Sequence, residues 1–120
     1  MATFTKLALQ PAGTTGDGLG ITVVATATAG TAIHTASATA ATIDEVWLYA
    51  VNIHTSAVTL TVEFGGTTGT SDYIQQSIAV SPSGLVLVCA GLILTGSVAV
   101  TAFAGTASKI EIFGFVNRIA

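Results

Sequence analysis

The sequence predicts an all-β domain: an antiparallel β-sandwich, jelly-roll-like, with about eight or nine strands and an extended N-terminal arm. Three observations carry this. Short apolar runs recur at roughly 8–12-residue spacing, separated by Gly, Pro, Ser and Asn clusters. In the clearest runs apolar and polar side chains alternate, the period of an extended chain with one buried face. The Ala-rich stretches hold many Thr and few large apolar residues at helical spacing, so they favour extended structure over helix.

Residues 1–9 place Phe4, Leu7 and Leu9 among Thr and Lys6 and read as an edge strand or a docking arm. Gln10 to Gly20 (QPAGTTGDGLG) is a loop by its glycines and proline. It lacks the Lys-Ser/Thr of a phosphate-binding loop and the spacing of a dinucleotide turn, so it is read as plain connection. Residues 1–20 are therefore expected to form an arm and Gly-rich loop, and residues 21–120 the sandwich. Removing the arm is expected to leave the sandwich folded and weaken docking.

Ile21 to Ala29 (ITVVATATA) reads as a strand, and Thr31 to Thr35 as a shorter one. The chain is organised around Ile43 to Phe64, expected to be a hairpin whose two strands flank a polar turn from Asn52 to Ser56. In its first strand Ile43, Glu45, Trp47, Tyr49, Val51 and Ile53 point one way, and Asp44, Val46, Leu48 and Ala50 the other. Both faces are apolar, which suits a central or covered strand. In the second, Val58, Leu60, Val62 and Phe64 share a buried face, while Thr59, Thr61 and Glu63 share a wetter one.

Gly65 to Asp72 reads as an exposed loop, Tyr73 to Val80 as a strand and Ser81 to Gly84 as a turn. Leu85 to Ala90 is expected to be a buried strand, with Gly91 to Gly96 a connector. Ser97 to Ala104 and Lys109 to Val116 complete the set.

No catalytic set is legible. Asp44 and Glu45 are neighbours on a strand, face opposite sides and cannot cooperate as a carboxylate pair. His34 and His54 read as turn or surface histidines, and with Cys89 in an apolar run they make no zinc-like cluster. Those apolar neighbours would raise the Cys89 thiol pKa and leave it inert. No nucleophile elbow is present. The residues thus point to a protein that is not an enzyme, with no cofactor and no metal. Three cations against a net charge of −3 leave no footprint for nucleic acid.

Mean hydropathy is high, +0.79, yet the most apolar run, Gly84 to Leu94, falls short of the roughly 20 residues a membrane helix needs. No membrane association is expected, and the N-terminus lacks the apolar core of a secretory signal. Charged residues make up 8% of the chain, against roughly a quarter in ordinary soluble proteins. So few charges hydrate a surface poorly, which favours a subunit partly covered by other protein. The candidate assembly residues are Phe4, Leu7, Leu9, Trp47, Tyr49, Phe113, Phe115 and Arg118. A lone cysteine excludes an intrachain disulfide and favours a reducing compartment.

From Ile33 to Ala120 the chain resembles small β-sandwich virion proteins of tailed bacteriophages. The resemblance lies in AIHTA (Ala32 to Ala36), IDEVWLYAVN followed by SAVTLTVEFGG (Ile43 to Gly66), SGLVLVCAGLIL (Ser83 to Leu94) and the closing GFVNRIA. It implies a capsid decoration or cement protein that binds the major capsid protein lattice and stabilises the head. It also implies a homo-oligomer, a trimer above other states, made in the host bacterial cytoplasm and resident on the virion surface. Alternatives are a neck, tail or fibre-base component, or a carbohydrate-binding sandwich that stacks sugars on Trp47 or Tyr49.

Overall fold

The computed structural model describes residues 2–12, 16–67, 70–79 and 84–120. Among them nine strands are present: β1 (Phe4–Ala8), β2 (Ile21–Thr22), β3 (Thr31–Thr35), β4 (Ile43–Asn52), β5 (Val58–Phe64), β6 (Tyr73–Ile78), β7 (Val86–Leu94), β8 (Ala99–Ala104) and β9 (Ile110–Ile119). Among the described residues the one helical element is a 3-10 turn at Thr70–Asp72. One sheet runs β1-β9-β4-β7, with β2 also on β9, and the other runs β3-β8-β5-β6. Every pairing is antiparallel.

The pairing has a simple rule. β5 pairs with β6, β4 with β7, β3 with β8 and β2 with β9, as in a long hairpin closed at β5–β6 and wrapped around a core. The wrap is sealed where β9 meets β4 and β8 meets β5. This is jelly-roll topology.

Alternation along each strand makes the core. In β4 the residues from Asp44 to Asn52 at even positions are buried and those between them half-buried. Val46, Leu48 and Ala50 from β4 meet Leu60 and Val62 from β5, with Ile33, Ile78, Val100, Ile110, Ile112 and Val116 around them. Burying a Leu or Ile side chain fully contributes about 1.5–3 kcal/mol, so this layer dominates stability.

Several expectations are corrected. Ile43 to Phe64 is not a hairpin: β4 belongs to the larger sheet and β5 to the smaller one. The intervening corner crosses the sandwich, fixed by the buried Asn52. Its Nδ2 donates to the carbonyls of Ser56 (3.0 Å) and Ile78 (2.8 Å), and its Oδ1 accepts from the His54 backbone N–H (2.8 Å). Of the two readings of residues 1–9, the edge strand is the one formed rather than an extended arm: β1 lies at the edge of the larger sheet, laddered to β9 from Phe4↔Ile119 to Ala8↔Phe115. The strand expected over Ile21 to Ala29 is only two residues long. Beyond it the chain leaves the ladder, and Thr28 and Gly30 cap the outer side of the smaller sheet.

That cap also reverses the reading of Glu63, which is fully buried rather than on a wet face. Its carboxylate accepts from the Thr28 hydroxyl, the Thr101 hydroxyl (2.7 Å) and the Gly30 N–H (2.8 Å). Finally, β7 is an edge strand whose Leu87 is exposed rather than buried, and it runs on through Gly91, so that Leu92 and Ile93, expected in a connector, are exposed strand residues. Val80 and the Ser81–Ser83 part of the expected turn lie outside the described residues.

Candidate functional site

Besides the capped Glu63 on the smaller sheet, polar groups gather in two places, one inside the sandwich and one on the outer face of the larger sheet.

The inner cluster joins four separate segments. His34 on β3 and Asp44 on β4 are both fully buried, and Arg118 on β9 points inward at them. Arg118 makes a two-pronged pair with Asp44, Nε to Oδ1 at 2.7 Å and Nη2 to Oδ2 at 2.8 Å. Its Nη2 also reaches Gln10 Oε1 at 3.3 Å. The Gln10 backbone N–H donates to His34 Nδ1 (3.0 Å), which fixes the tautomer: the Nε2–H of a neutral ring donates to Asp44 Oδ2 (2.8 Å).

Electrostatics follow from this arrangement. Burial lowers the His34 pKa below its ordinary value, and the Arg118 charge adds to that, while the hydrogen bond and charge of Asp44 only partly oppose it. Burial alone would raise Asp44, but the hydrogen bonds from Arg118 and His34, with the Arg118 charge, hold it below the usual carboxylate range. Glu63 behaves alike: burial pushes it up, and donation from Thr28, Thr101 and Gly30 more than offsets that. Among the described residues every buried side-chain nitrogen and oxygen has a partner. Cys89 is buried, its thiol donates to the Val46 carbonyl at 3.3 Å, and burial pushes its pKa up. No group of three metal-ligating side chains occurs among the described residues. The inner cluster ties both sheets to the loop after β1, and its atoms are spent on one another.

The outer face is organised in rows fixed by strand register. Phe4, Ile119 and Ile43 form one row, and Lys6, Asn117 and Glu45 the next. Ala8, Phe115 and Trp47 follow, then Phe113 and Tyr49 with Leu87 beside them. The Trp47 and Phe115 rings are stacked, 5.9 Å apart and 8° from parallel, and the Lys6 ammonium sits 4.7 Å from the Phe115 centroid. On the other side of Trp47, Gly91 adopts φ 72° at a bulge in β7, where a Cβ would lie 3.1 Å from the indole. Glu45 Oε1 accepts from Trp47 Nε1 (2.7 Å) and Asn117 Nδ2 (3.0 Å), and these donors lower its pKa. A depression of about 380 Å³ opens here, lined by Phe4, Thr5, Lys6, Glu45, Asn117 and Ile119.

Of the eight residues expected at an assembly surface, Phe4, Trp47, Tyr49, Phe113 and Phe115 share this face. Leu7 packs against the core, Leu9 is buried in it, and Arg118 turns inward to Asp44. The exposed Leu85, Leu87, Leu92 and Ile93, at or near the β7 edge, extend the apolar surface and were not anticipated. The His34–Asp44–Arg118 cluster was also missed, since His34 read as a turn or surface residue. The signal was present: Asp44 shares the inward phase of Val46, Leu48 and Ala50, and a carboxylate in a core phase requires a buried partner.

No helix among the described residues is long and apolar enough to cross a membrane. No protein-family model, curated protein or solved structure matches the chain.

Proposed function

We propose that this protein is a non-enzymatic structural subunit of a tailed-bacteriophage virion, a decoration protein that binds the major capsid protein lattice and stabilises the head. The observation that carries the reading is the outer face of the larger sheet with its β7 edge. There Phe4, Phe113, Leu85, Leu87 and Ile93 stand exposed, and Lys6, Glu45 and Glu111 are the charged residues in its rows. Protein–protein interface cores are depleted in charge and enriched in aromatics in this way. An uncovered apolar edge strand invites association, and assembly would cover it. The buried ionisable groups support a structural role, being held by partners from the chain itself.

A sugar-binding reading fares worse on the same face. Phe115 lies between Lys6 and Trp47, and Trp47 between Phe115 and Gly91, so the rings are engaged by neighbours. The test is co-sedimentation of purified protein with expanded phage capsids. Saturable binding that raises the temperature of capsid disruption is expected. Binding to isolated tails or necks with none to capsids would move the protein to that part of the particle, and binding to no virion component would end the reading.

A further inference from the structure

We propose that His34 is a proton-operated latch at one end of the sandwich: a proton taken up by its ring expels the Gln10 backbone N–H from Nδ1 and frees the chain after β1 from β3, while the rest of the core stays folded. The ring is fully buried and both of its nitrogens are occupied. Nε2–H donates to Asp44 Oδ2 at 2.8 Å, and Nδ1 accepts from the Gln10 N–H at 3.0 Å. A neutral imidazole suits this setting because it offers one donor and one acceptor, whereas an imidazolium offers two donors. Protonation would set N–H against N–H across that 3.0 Å, at a ring sealed from solvent. The second proton therefore enters only when Gln10 has moved away.

The position of Gln10 gives this exchange its reach. The Gln10 carbonyl accepts from the Thr35 N–H (3.0 Å), the Pro11 carbonyl from the Thr35 hydroxyl (3.2 Å), and Arg118 Nη2 reaches Gln10 Oε1 (3.3 Å). β1 belongs to the larger sheet and β3 to the smaller, so Gln10 and Pro11 stitch one sheet to the other. Displacing the Gln10 N–H pulls on the adjoining bonds to Thr35 and leaves β1 held by its ladder to β9. The charged groups facing the ring are Asp44 from β4 and Arg118 from β9; β8 sets Val100 opposite His34, and Gln10 and Pro11 are uncharged. Asp44 favours the proton and Arg118 opposes it, and Arg118 already holds Asp44 with two hydrogen bonds. The closed ring thus resists the proton, and the opened ring, reached by water, takes it near its ordinary 6.5. The latch is a property of the chain alone and does not depend on the capsid as a partner.

Residue-resolved amide hydrogen exchange by NMR, corrected for the intrinsic pH dependence of exchange, tests this. An opening that takes up one proton at the ordinary histidine value grows about tenfold between about pH 7.5 and 5.5. The Gln10 and Thr35 amides should lose protection by that factor. They should also be far less protected than Leu60 and Val62, in the strand at the centre of the smaller sheet, at both pH values. Low urea should leave exchange at Gln10 and Thr35 unchanged, because a local opening exposes little surface, while it speeds exchange at Leu60 and Val62. In His34→Gln, whose side chain keeps an acceptor but takes up no proton, the pH response at Gln10 and Thr35 should vanish. If that variant does not fold, the imidazole nitrogen shifts of the unaltered chain decide: a neutral ring protonated at Nε2 is expected, and one protonated at Nδ1 overturns the latch. Gln10 and Thr35 amides with the same protection and urea response as Leu60 and Val62 would mean that the ring is protonated only on global unfolding, and would overturn it too. So would a pH response that is absent from the unaltered chain or persists in His34→Gln.

Discussion

Arg118 and Asp44 close the sandwich from within: the guanidinium of β9 grips the carboxylate of β4 with two hydrogen bonds, of 2.7 and 2.8 Å, on the core side of the larger sheet. The carboxylate is fully buried and the guanidinium 23% exposed, so only the cation keeps some contact with water. Truncating one partner of a buried pair leaves the other uncompensated, at a cost of about 3–5 kcal/mol. Asp44→Ala is expected to destabilise by that amount in urea melts. A loss under about 1 kcal/mol would show that the pair contributes little.

The same cluster predicts acid sensitivity. His34 has a folded-state pKa below its unfolded value of 6.5, so the unfolded chain takes up a proton first as pH falls. Its contribution to stability is complete above pH 6.5 and is lost progressively below it, until the folded ring is protonated too. Asp44, also lowered, adds a second loss below its ordinary 3.8. The urea midpoint should therefore decline from neutrality into mild acid, and a His34→Gln variant should show a flatter profile near pH 6. An unchanged slope in that variant would assign the decline elsewhere.

Leu60 is fully buried where the two sheets face each other. Leu60→Ala should cost about 2–5 kcal/mol, the range for a core cavity, with the slope of the denaturation curve unchanged. A loss below about 0.5 kcal/mol would contradict this placement.

Removing residues 1–20 takes away β1, the buried Leu9 and the Gln10 N–H that fixes His34. Losing the burial of Leu9 alone is worth about 1.5–3 kcal/mol, so the truncated chain should melt earlier and less cooperatively. A melt superimposable on the full chain's would restore the view of this segment as a detachable arm.

Gly91 combines a left-handed backbone with the indole of Trp47 against its Cα. Gly91→Val places a β-branched side chain at a φ it rarely adopts, costing about 1–2 kcal/mol before any displacement of the ring. Trp47 is the only tryptophan, so intrinsic fluorescence reports directly on that displacement. An unshifted emission spectrum with unchanged stability would show that the bulge tolerates a side chain.

What could be read from the residues was the layer structure. The alternation in β4 placed each of its side chains on the correct side, and Thr31 to Thr35 was located to the residue. Connectivity was less visible, because a polar five-residue corner such as Asn52 to Ser56 serves a hairpin and a sheet-to-sheet crossing equally well. The difference lies in the Asn52 bond to the distant Ile78 carbonyl, which no local pattern records. β7 was misread for a related reason: a strand apolar on both faces is either deep inside or at an edge awaiting cover, and composition does not separate the two. Glu63 looked solvated because the segment that covers it was assigned to a strand.

The wrapped pairing also governs how this chain is made. β9 sits between β1 and β4 in the larger sheet, yet it is synthesised after both of them and after the four strands β5 to β8. Until it arrives, β1 and β2 have no ladder to join, and Arg118 is missing from beside Asp44. Such distant partnering slows folding toward the millisecond-to-second range and leaves apolar edges open meanwhile. The nascent polypeptide is thus most vulnerable to sticking and to chaperone capture in the interval before β9 has been synthesised.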